Sequence, residues 1–474
     1  MSSQIGLIGM GVMGGNLALN MVSKNLTVSV YDISAEKLDQ FLARHGTQQQ
    51  ILVCRSTAEL ITSLERPRKI MLMIPAGKAV DEVIDRLLPG LEAGDILIDG
   101  GNSHFPDTTR RTRWLESKGL LFVGMGISGG EEGALHGPSL MPGGSFAAWA
   151  SIKPICQAIA AKVDVNVPCC EWIGGEGSGH LVKMVHNGIE YGDMQLICEV
   201  YDLMRKLLQL QSEEMAGIFM RWGRGDLKSY LIDITADILT VKDADGLPLV
   251  DKILDQAGQK GTGKWSAVAA LDMAVPLTLI TESVFARMLS AIKDERMLAA
   301  ESLSGPQPVF KGDKDHFIEQ LGEALLLARI ISYAQGYQLM RAAGQEFGWT
   351  LNYSGIANLW RGGCIIRSEL LGKIRAAFDR NPLLQNILLD PVIQQVVTRS
   401  QSALRDVVSL AIQNGIPVPA LSAAIAYLDT YRCTKLPANL LQAQRDYFGA
   451  HQYQRIDKPV TQHWHTDWLA KSAE

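Results

Sequence analysis

The chain contains no run of about 18 apolar residues, the length a membrane-spanning helix needs. Its N-terminus lacks a basic stretch followed by an apolar core, so no secretory signal is expected. Cysteine is sparse: seven in 474 residues, an odd number, without disulfide-framework or metal-type spacing. Cys169 and Cys170 are adjacent, poor geometry for a bridge to each other. Free thiols in a reducing cytoplasm are the expectation. No HExxH and no paired CxxC occurs, and His463 and His465 read as surface residues, so no metal site is expected. Basic charge is not in excess. The net charge of −5 offers no field for nucleic acid. Low-complexity segments are absent.

What remains is a globular composition, 47% apolar and 20% charged, in a chain too long for one ordinary core. Short apolar runs at 5–10, 28–31, 70–75, 95–100 and 120–126 alternate with helix-length amphipathic segments. That rhythm predicts βαβ units and a parallel sheet, hence an α/β domain over residues 1–176. Helical patterns follow at 178–209, 211–223, 228–240, 247–258, 276–301 and 314–347, and continue to about 430. They predict a large all-α domain over 177–434. The stretch "ISYAQGYQLMRAAG" (331–344) echoes "IEYGDMQLICEVYDLM" (189–204), pointing to internal duplication. A tail over 435–474 carries Tyr447, Phe448, Tyr453, Trp464 and Trp468. So many aromatics are expected to dock on a surface, such as that of another subunit.

The stretch "GLIGMGVMGGNLALNM" contains Gly9-x-Gly11-x-x-Gly14 between an apolar strand and an amphipathic segment. Gly9 permits the tight turn, Gly11 lets backbone approach a pyrophosphate, and Gly14 lets helix pack near strand. The helix N-terminus then offers free N–H groups to the phosphates. Asp32 ends the second strand, where a carboxylate accepts hydrogen bonds from both ribose hydroxyls of NAD and repels the 2′-phosphate of NADP. The plainer reading is that Asp32 caps the next helix, with Ser34 and Glu36 in its first turn. Both can hold at once.

The most informative stretch is "GSGHLVKMVHNGIEYGDMQLI" (177–197), with Ser178 as the expected N-cap. On a helical period Lys183, His186, Asn187, Glu190 and Tyr191 share one stripe, opposite Leu181, Val185, Ile189 and Leu196. Two turns separate Lys183 from Glu190, about 10 Å along the axis, so ammonium and carboxyl can reach opposite ends of one small substrate. A solvated polar face is the bland alternative. Two features oppose it. Each residue type on the stripe differs and each has a catalytic or hydrogen-bonding use. Gly188 and Gly192 each cost about 1 kcal/mol in a helix interior, which points to another element pressed against the backbone.

Two loops add to this. "GISGGEEGALHGPSLMPGG" (126–144) puts Ser128, Gly129 and Gly130 after an apolar strand, with backbone N–H groups suited to a carboxylate or hydroxyl. "GQKGTGKW" (258–265) imitates a P-loop, but it ends in Trp265 and follows "DKILDQA", which reads as helix. The Walker reading fails, while Lys260, Thr262 and Lys264 remain candidates for an anionic group.

These segments, with "DGGNS", "ILDQAGQKGTGKW", "LITESVFAR", "GCIIR" and "QAQRDYFGAH", resemble the decarboxylating 6-phosphogluconate dehydrogenases over essentially the whole chain. The resemblance implies a Rossmann-like N-terminal α/β domain, a large helical domain with duplicated units, and a homodimer whose tails enter the partner subunit. It implies oxidation of 6-phosphogluconate at C3 by NAD(P)+, then loss of CO2 to give ribulose 5-phosphate. Lys183 would be the base at the C3 hydroxyl and Glu190 the acid at C1 of the enediol, with no metal required. Asn102, Ser128, Gly129, Gly130, His186 and Asn187 would hold the carboxylate and hydroxyls. Tyr191, Lys260, Arg287, Arg445 and His451 would hold the phosphate, the last two across a subunit boundary. Gly9, Met10, Gly11, Val12, Met13, Gly14, Asp32, Ile33, Ser34, Ile74, Pro75, Ala76 and Asn102 would line the dinucleotide. One departure matters: NADP-dependent members carry Asn-Arg-Ser/Thr after the second strand, and this chain has Asp32-Ile33-Ser34. A preference for NAD+, or at least a weakened selectivity for NADP+, is therefore expected. Shorter β-hydroxyacid dehydrogenases, and a non-catalytic dinucleotide-binding regulator, are the competing readings. The chain's length and the Lys260, Arg287, Arg445 set oppose the first, and retention of both Lys183 and Glu190 opposes the second.

Overall fold

The computed structural model describes residues 2–45, 49–259 and 261–469. They fall into two compact units, Met1–Ile425 and Ala426–Glu474. The first begins with a seven-stranded sheet: β1 (Ile5–Ile8), β2 (Val28–Tyr31), β3 (Ile51–Val53), β4 (Lys69–Leu72), β5 (Ile96–Asp99), β6 (Leu121–Ser128) and β7 (Ser139–Gly144). The order is β3-β2-β1-β4-β5-β6-β7. β1 to β6 are parallel, and β7 runs antiparallel to β6. The connecting helices are α1 (Val12–Ser23), α2 (Ala35–His45), α3 (Thr57–Thr62), α4 (Lys78–Leu87), α5 (Phe105–Glu116), α6 (Gly130–His136) and α7 (Trp149–Ile159).

β1 lies between β2 and β4, so chain direction across the sheet reverses there. Such a switch point opens a crevice at the carboxyl ends of the strands. The register sets Ile8 level with both Tyr31 and Leu72, which brings Gly9, Asp32 and Met73 side by side at that edge. Apolar side chains from both faces of the strands fill two cores, one around Leu7, Val30 and Met71, the other around Ile70, Leu72 and Leu97. Burial on both faces explains why these strands read as near-continuous apolar runs.

From Ser178 onward regular structure is helical: α8 (Ser178–Lys206), α9 (Ser212–Trp222), α10 (Tyr230–Thr240), α11 (Thr262–Asp272), α12 (Thr278–Ala291), α13 (Lys293–Ser302), α14 (Lys314–Phe347), α15 (Tyr353–Leu359), α16 (Glu369–Arg380), α17 (Pro391–Gln413), α18 (Pro419–Tyr431) and α19 (Ala438–Gly449). The two echoing stretches fall on α8 and α14, the long helices at the centre, each buried along most of its length. Among the described residues no helix is long and apolar enough to cross a membrane.

Four local expectations are corrected. The helix expected over 247–258 is a single 3-10 turn, Leu249–Lys252, followed by irregular backbone. Segment 276–301 is two helices, broken at Ile292. The cap of α8 is Gly177, not Ser178, whose hydroxyl is buried without a hydrogen-bond partner. The loop over 126–144 is the end of β6, the short helix α6 and the edge strand β7.

Candidate active site

Backbone geometry at the switch point suits a dinucleotide. Gly9 has φ +103°, open to glycine alone without strain. A Cβ on Gly14 would overlap the Gly9 carbonyl oxygen, whereas one on Gly11 would meet nothing within 4 Å, so the turn is tight inside and open outside. Gly11 stands at the cap of α1 and supplies no side-chain bond, and the first turn has no acid, leaving its N–H groups for a pyrophosphate. A cavity of about 150 Å³ continues past Gly9, Asp32, Ile33, Ile74 and Pro75. Sequence reasoning missed its far wall: Thr57, and Ala79, Glu82, Val83 and Arg86 on α4. Their periodicity on a helix after the Ile74–Gly77 turn was the available signal.

Asp32 does more than either sequence reading foresaw. One carboxylate oxygen accepts from Met10 N–H at 2.7 Å and the other from Ser34 N–H at 2.8 Å. Asp32 thus braces the glycine turn. The first turn of α2 is bonded instead by Ser34, whose hydroxyl accepts from Lys37 N–H at 3.3 Å. Each Asp32 oxygen keeps a lone pair for ribose. Ile33 is 71% exposed at the tip.

α8 carries the chemistry. Its polar stripe is not a solvated face: Lys183 is 7% exposed, His186 0% and Asn187 9%. Closely approaching neighbours bury it. A Cβ on Gly126 of β6 would overlap Lys183 Cβ and lie 3.0 Å from its Cγ, so the helix rests directly on the strand. On the other side Gly188 faces Ser266 of α11, and Gly192 faces Ser332 of α14. The expectation that an element presses on these glycines is met by both helices.

His186 lies between Ser128 and Asn187. Its Nδ1 lies 3.1 Å from Asn187 Oδ1 and its Nε2 3.2 Å from Ser128 Oγ. Burial holds the imidazole pKa well below its usual value, so the ring is neutral. An amide oxygen only accepts, so Nδ1 carries the proton and Nε2 accepts from Ser128. The Ser128 oxygen is then free to accept from a substrate hydroxyl. Burial also pushes the Lys183 pKa down, against the pull of Glu190. It pushes the Glu190 carboxyl up, against Lys183 and Arg287. A proton-accepting amine and a protonated carboxyl are therefore both brought toward neutral pH.

The two turns flanking this stripe carry other expected residues. Asn102 is exposed on the turn after β5, where Asp99 accepts from Gly101 N–H at 3.1 Å and from Ser103 Oγ at 2.7 Å. Gly129 caps α6 and Gly130 faces open space. Farther along α8, the Arg287 guanidinium lies 3.5 Å over the Tyr191 ring, and the α11 backbone at Gly263 presses on the same ring. Lys264 is exposed on α11, and Lys260 lies outside the described residues. Arg445 and His451 belong to the second unit. There Arg445 donates to Gln442 at 3.2 Å and His451 sits edge-on to Phe448. Sequence reasoning also missed Cys364, whose thiol burial pushes up to about 12, and the fully buried Asp193–Arg329 pair one turn past Glu190.

Residues 4–174 match the model of the NAD binding domain of 6-phosphogluconate dehydrogenase, and residues 179–468 that of the 6-phosphogluconate dehydrogenase C-terminal domain. The chain belongs to the 6-phosphogluconate dehydrogenase family. Among relatives named 6-phosphogluconate dehydrogenase, decarboxylating, that of Cunninghamella elegans is 56% identical over 99% of this chain and 97% of its own. The Homo sapiens protein is 55% identical over 98% and 96%. A solved structure of Plasmodium falciparum 6-phosphogluconate dehydrogenase, described in apo form and with NADP+ or 6-phosphogluconate, has a TM-score of 0.94 at 41% identity. It covers 98% of this chain and 100% of that one. The two matched domains adjoin between residues 174 and 179, where α8 begins.

Proposed function

We propose that the chain oxidises 6-phospho-D-gluconate at C3 with NAD(P)+ and decarboxylates the product to D-ribulose 5-phosphate and CO2. The observation that carries this is the desolvated Lys183 on the same helix face as Glu190, next to the Ser128–His186–Asn187 relay. The bound dinucleotide supplies the hydride acceptor for C3. Lys183 takes the C3 hydroxyl proton as the carbonyl forms. The C1–C2 bond then breaks, CO2 leaves, and its electron pair moves through C2–C3 onto the C3 oxygen. Lys183 returns its proton to that oxygen, stabilising the enolate as charge develops. Glu190 protonates the former C2, which is C1 of the enediol, while Lys183 takes back the proton of the hydroxyl on the former C3, which becomes the ketone. Transfer of one proton from Lys183 to Glu190 restores the start.

Asn102, Ser128, Gly129, Gly130, His186 and Asn187 hold the carboxylate and hydroxyls in this reading. Tyr191, Lys260 and Arg287 hold the phosphate, joined by Arg445 and His451 from a partner's tail in a homodimer. The exposed apolar side chains Leu440, Leu441, Tyr447 and Phe448 on α19 support a tail that docks on another subunit. Seven cysteines, all free, suit the cytoplasm.

NAD+ is the preferred oxidant in this reading. Asp32 repels a 2′-phosphate, and exposed Ile33 stands where the family's arginine would pair with it. Arg86 on the cavity wall favours the second reading, residual use of NADP+. With 6-phosphogluconate saturating, kcat/KM is expected to be higher for NAD+, and Ile33→Arg should raise kcat/KM for NADP+ about tenfold. A native enzyme that strongly prefers NADP+ would sink the reading of Asp32 and Ile33.

A further inference from the structure

Arg111 lies in "TTRRTRWLE", outside every segment that marks the site, on a helix that reads as charged surface. Its side chain is nevertheless fully buried. Nε and Nη2 each donate to one oxygen of Asp81 at 2.9 Å, and Nη2 also donates to the Gly77 carbonyl at 2.9 Å. Nη1 stands 3.6 Å from Asp99 Oδ2, without a hydrogen-bond partner among the described residues.

Asp81 lies in the first turn of α4, and the other two contacts lead to turns at the carboxyl edge of the sheet. Gly77 closes the Ile74–Ala76 turn after β4 in a left-handed conformation, φ +90°. Asp99 holds the turn after β5 that carries Asn102, through Gly101 N–H and Ser103 Oγ. β4 and β5 are neighbours, so one planar guanidinium ties two adjacent turns together. Burying this charge is costly, and an apolar side chain of similar volume would often be as stable. Fold stability alone therefore gives a weak account of Arg111.

We propose that Arg111 is a positioning residue for the dinucleotide, setting the gap between the Ile74–Ala76 turn and Asn102. The proposal rests on the reading of both turns as cofactor-lining. It is tested by fluorescence titration of NADH and calorimetric titration of 6-phosphogluconate on wild type, Arg111→Lys and Asp81→Asn. Lysine keeps the charge but cannot span both turns, and Asp81→Asn loosens the grip while leaving Arg111 in place. The expected result is an NADH Kd raised about tenfold in Arg111→Lys and about threefold in Asp81→Asn, with the 6-phosphogluconate Kd within about twofold, because Asn102 is the only one of its proposed contacts carried on these turns. An unchanged NADH Kd in both variants overturns the proposal. So does equal weakening of both ligands, the mark of a merely structural role. Failure of the wild type to turn over 6-phosphogluconate is a separate result, which sinks the functional reading instead.

Discussion

Lys183→Met is expected to lower kcat for 6-phosphogluconate about 10⁴-fold while leaving dinucleotide affinity within about threefold. The effect is large because one amine serves twice, as base during oxidation and as proton donor to the enolate. Its surroundings allow both roles. Burial lowers the pKa of Lys183, and Glu190 limits that fall. kcat/KM should rise with pH as Lys183 becomes neutral, below its ordinary 10.5, and fall as Glu190 loses its proton, above its ordinary 4.5. The two groups interact, so the limbs report values of the pair. Glu190→Gln should lack the alkaline limb. Normal turnover by Lys183→Met would show that another group is the base.

The second large effect comes from a residue with no chemistry of its own. Gly126→Ala is expected to reduce kcat about 100-fold. The new methyl would overlap Lys183 Cβ and stand 3.1 Å from the Gly179 carbonyl oxygen, so α8 or β6 has to shift. Overpacking of this kind costs about 1–3 kcal/mol and moves the base off its line to C3. Gly217→Ala is the matched control. Gly217 is exposed within α9 with nothing near its Cβ position, so alanine there should stabilise by up to about 1 kcal/mol with unchanged kcat. Full activity in Gly126→Ala, shown folded by circular dichroism, would mean that the contact between strand and helix does not position Lys183.

Gly126 also marks the boundary of what the chain discloses on inspection. The stripe on α8 was legible because unlike polar residues recur each turn opposite the apolar Leu181, Val185, Ile189 and Leu196. That it is buried was not, because burial comes from β6, α11 and α14, distant in sequence. β7 was missed because Pro142, Gly143 and Gly144 argue against a strand. They are tolerated at an edge, and a Cβ on Gly143 would collide with Ser178 at the start of α8. β3 has three residues, too few for any period to register. The 247–258 segment has helical composition, yet only one 3-10 turn forms there. Asp32 was found by position, but its bonds to Met10 and Ser34 depend on register between strands. Arg111 was invisible, since neighbouring arginines on an amphipathic helix normally face water.

The central claim is that oxidation and decarboxylation occur together at the Lys183–Glu190 face. Its most direct test follows 6-phosphogluconate labelled with ¹³C at C1 through turnover by the native enzyme with NAD+. The account predicts one labelled CO2 and one ribulose 5-phosphate for each NADH formed. NADH formed without labelled CO2, or no turnover of this substrate with either dinucleotide, would contradict it.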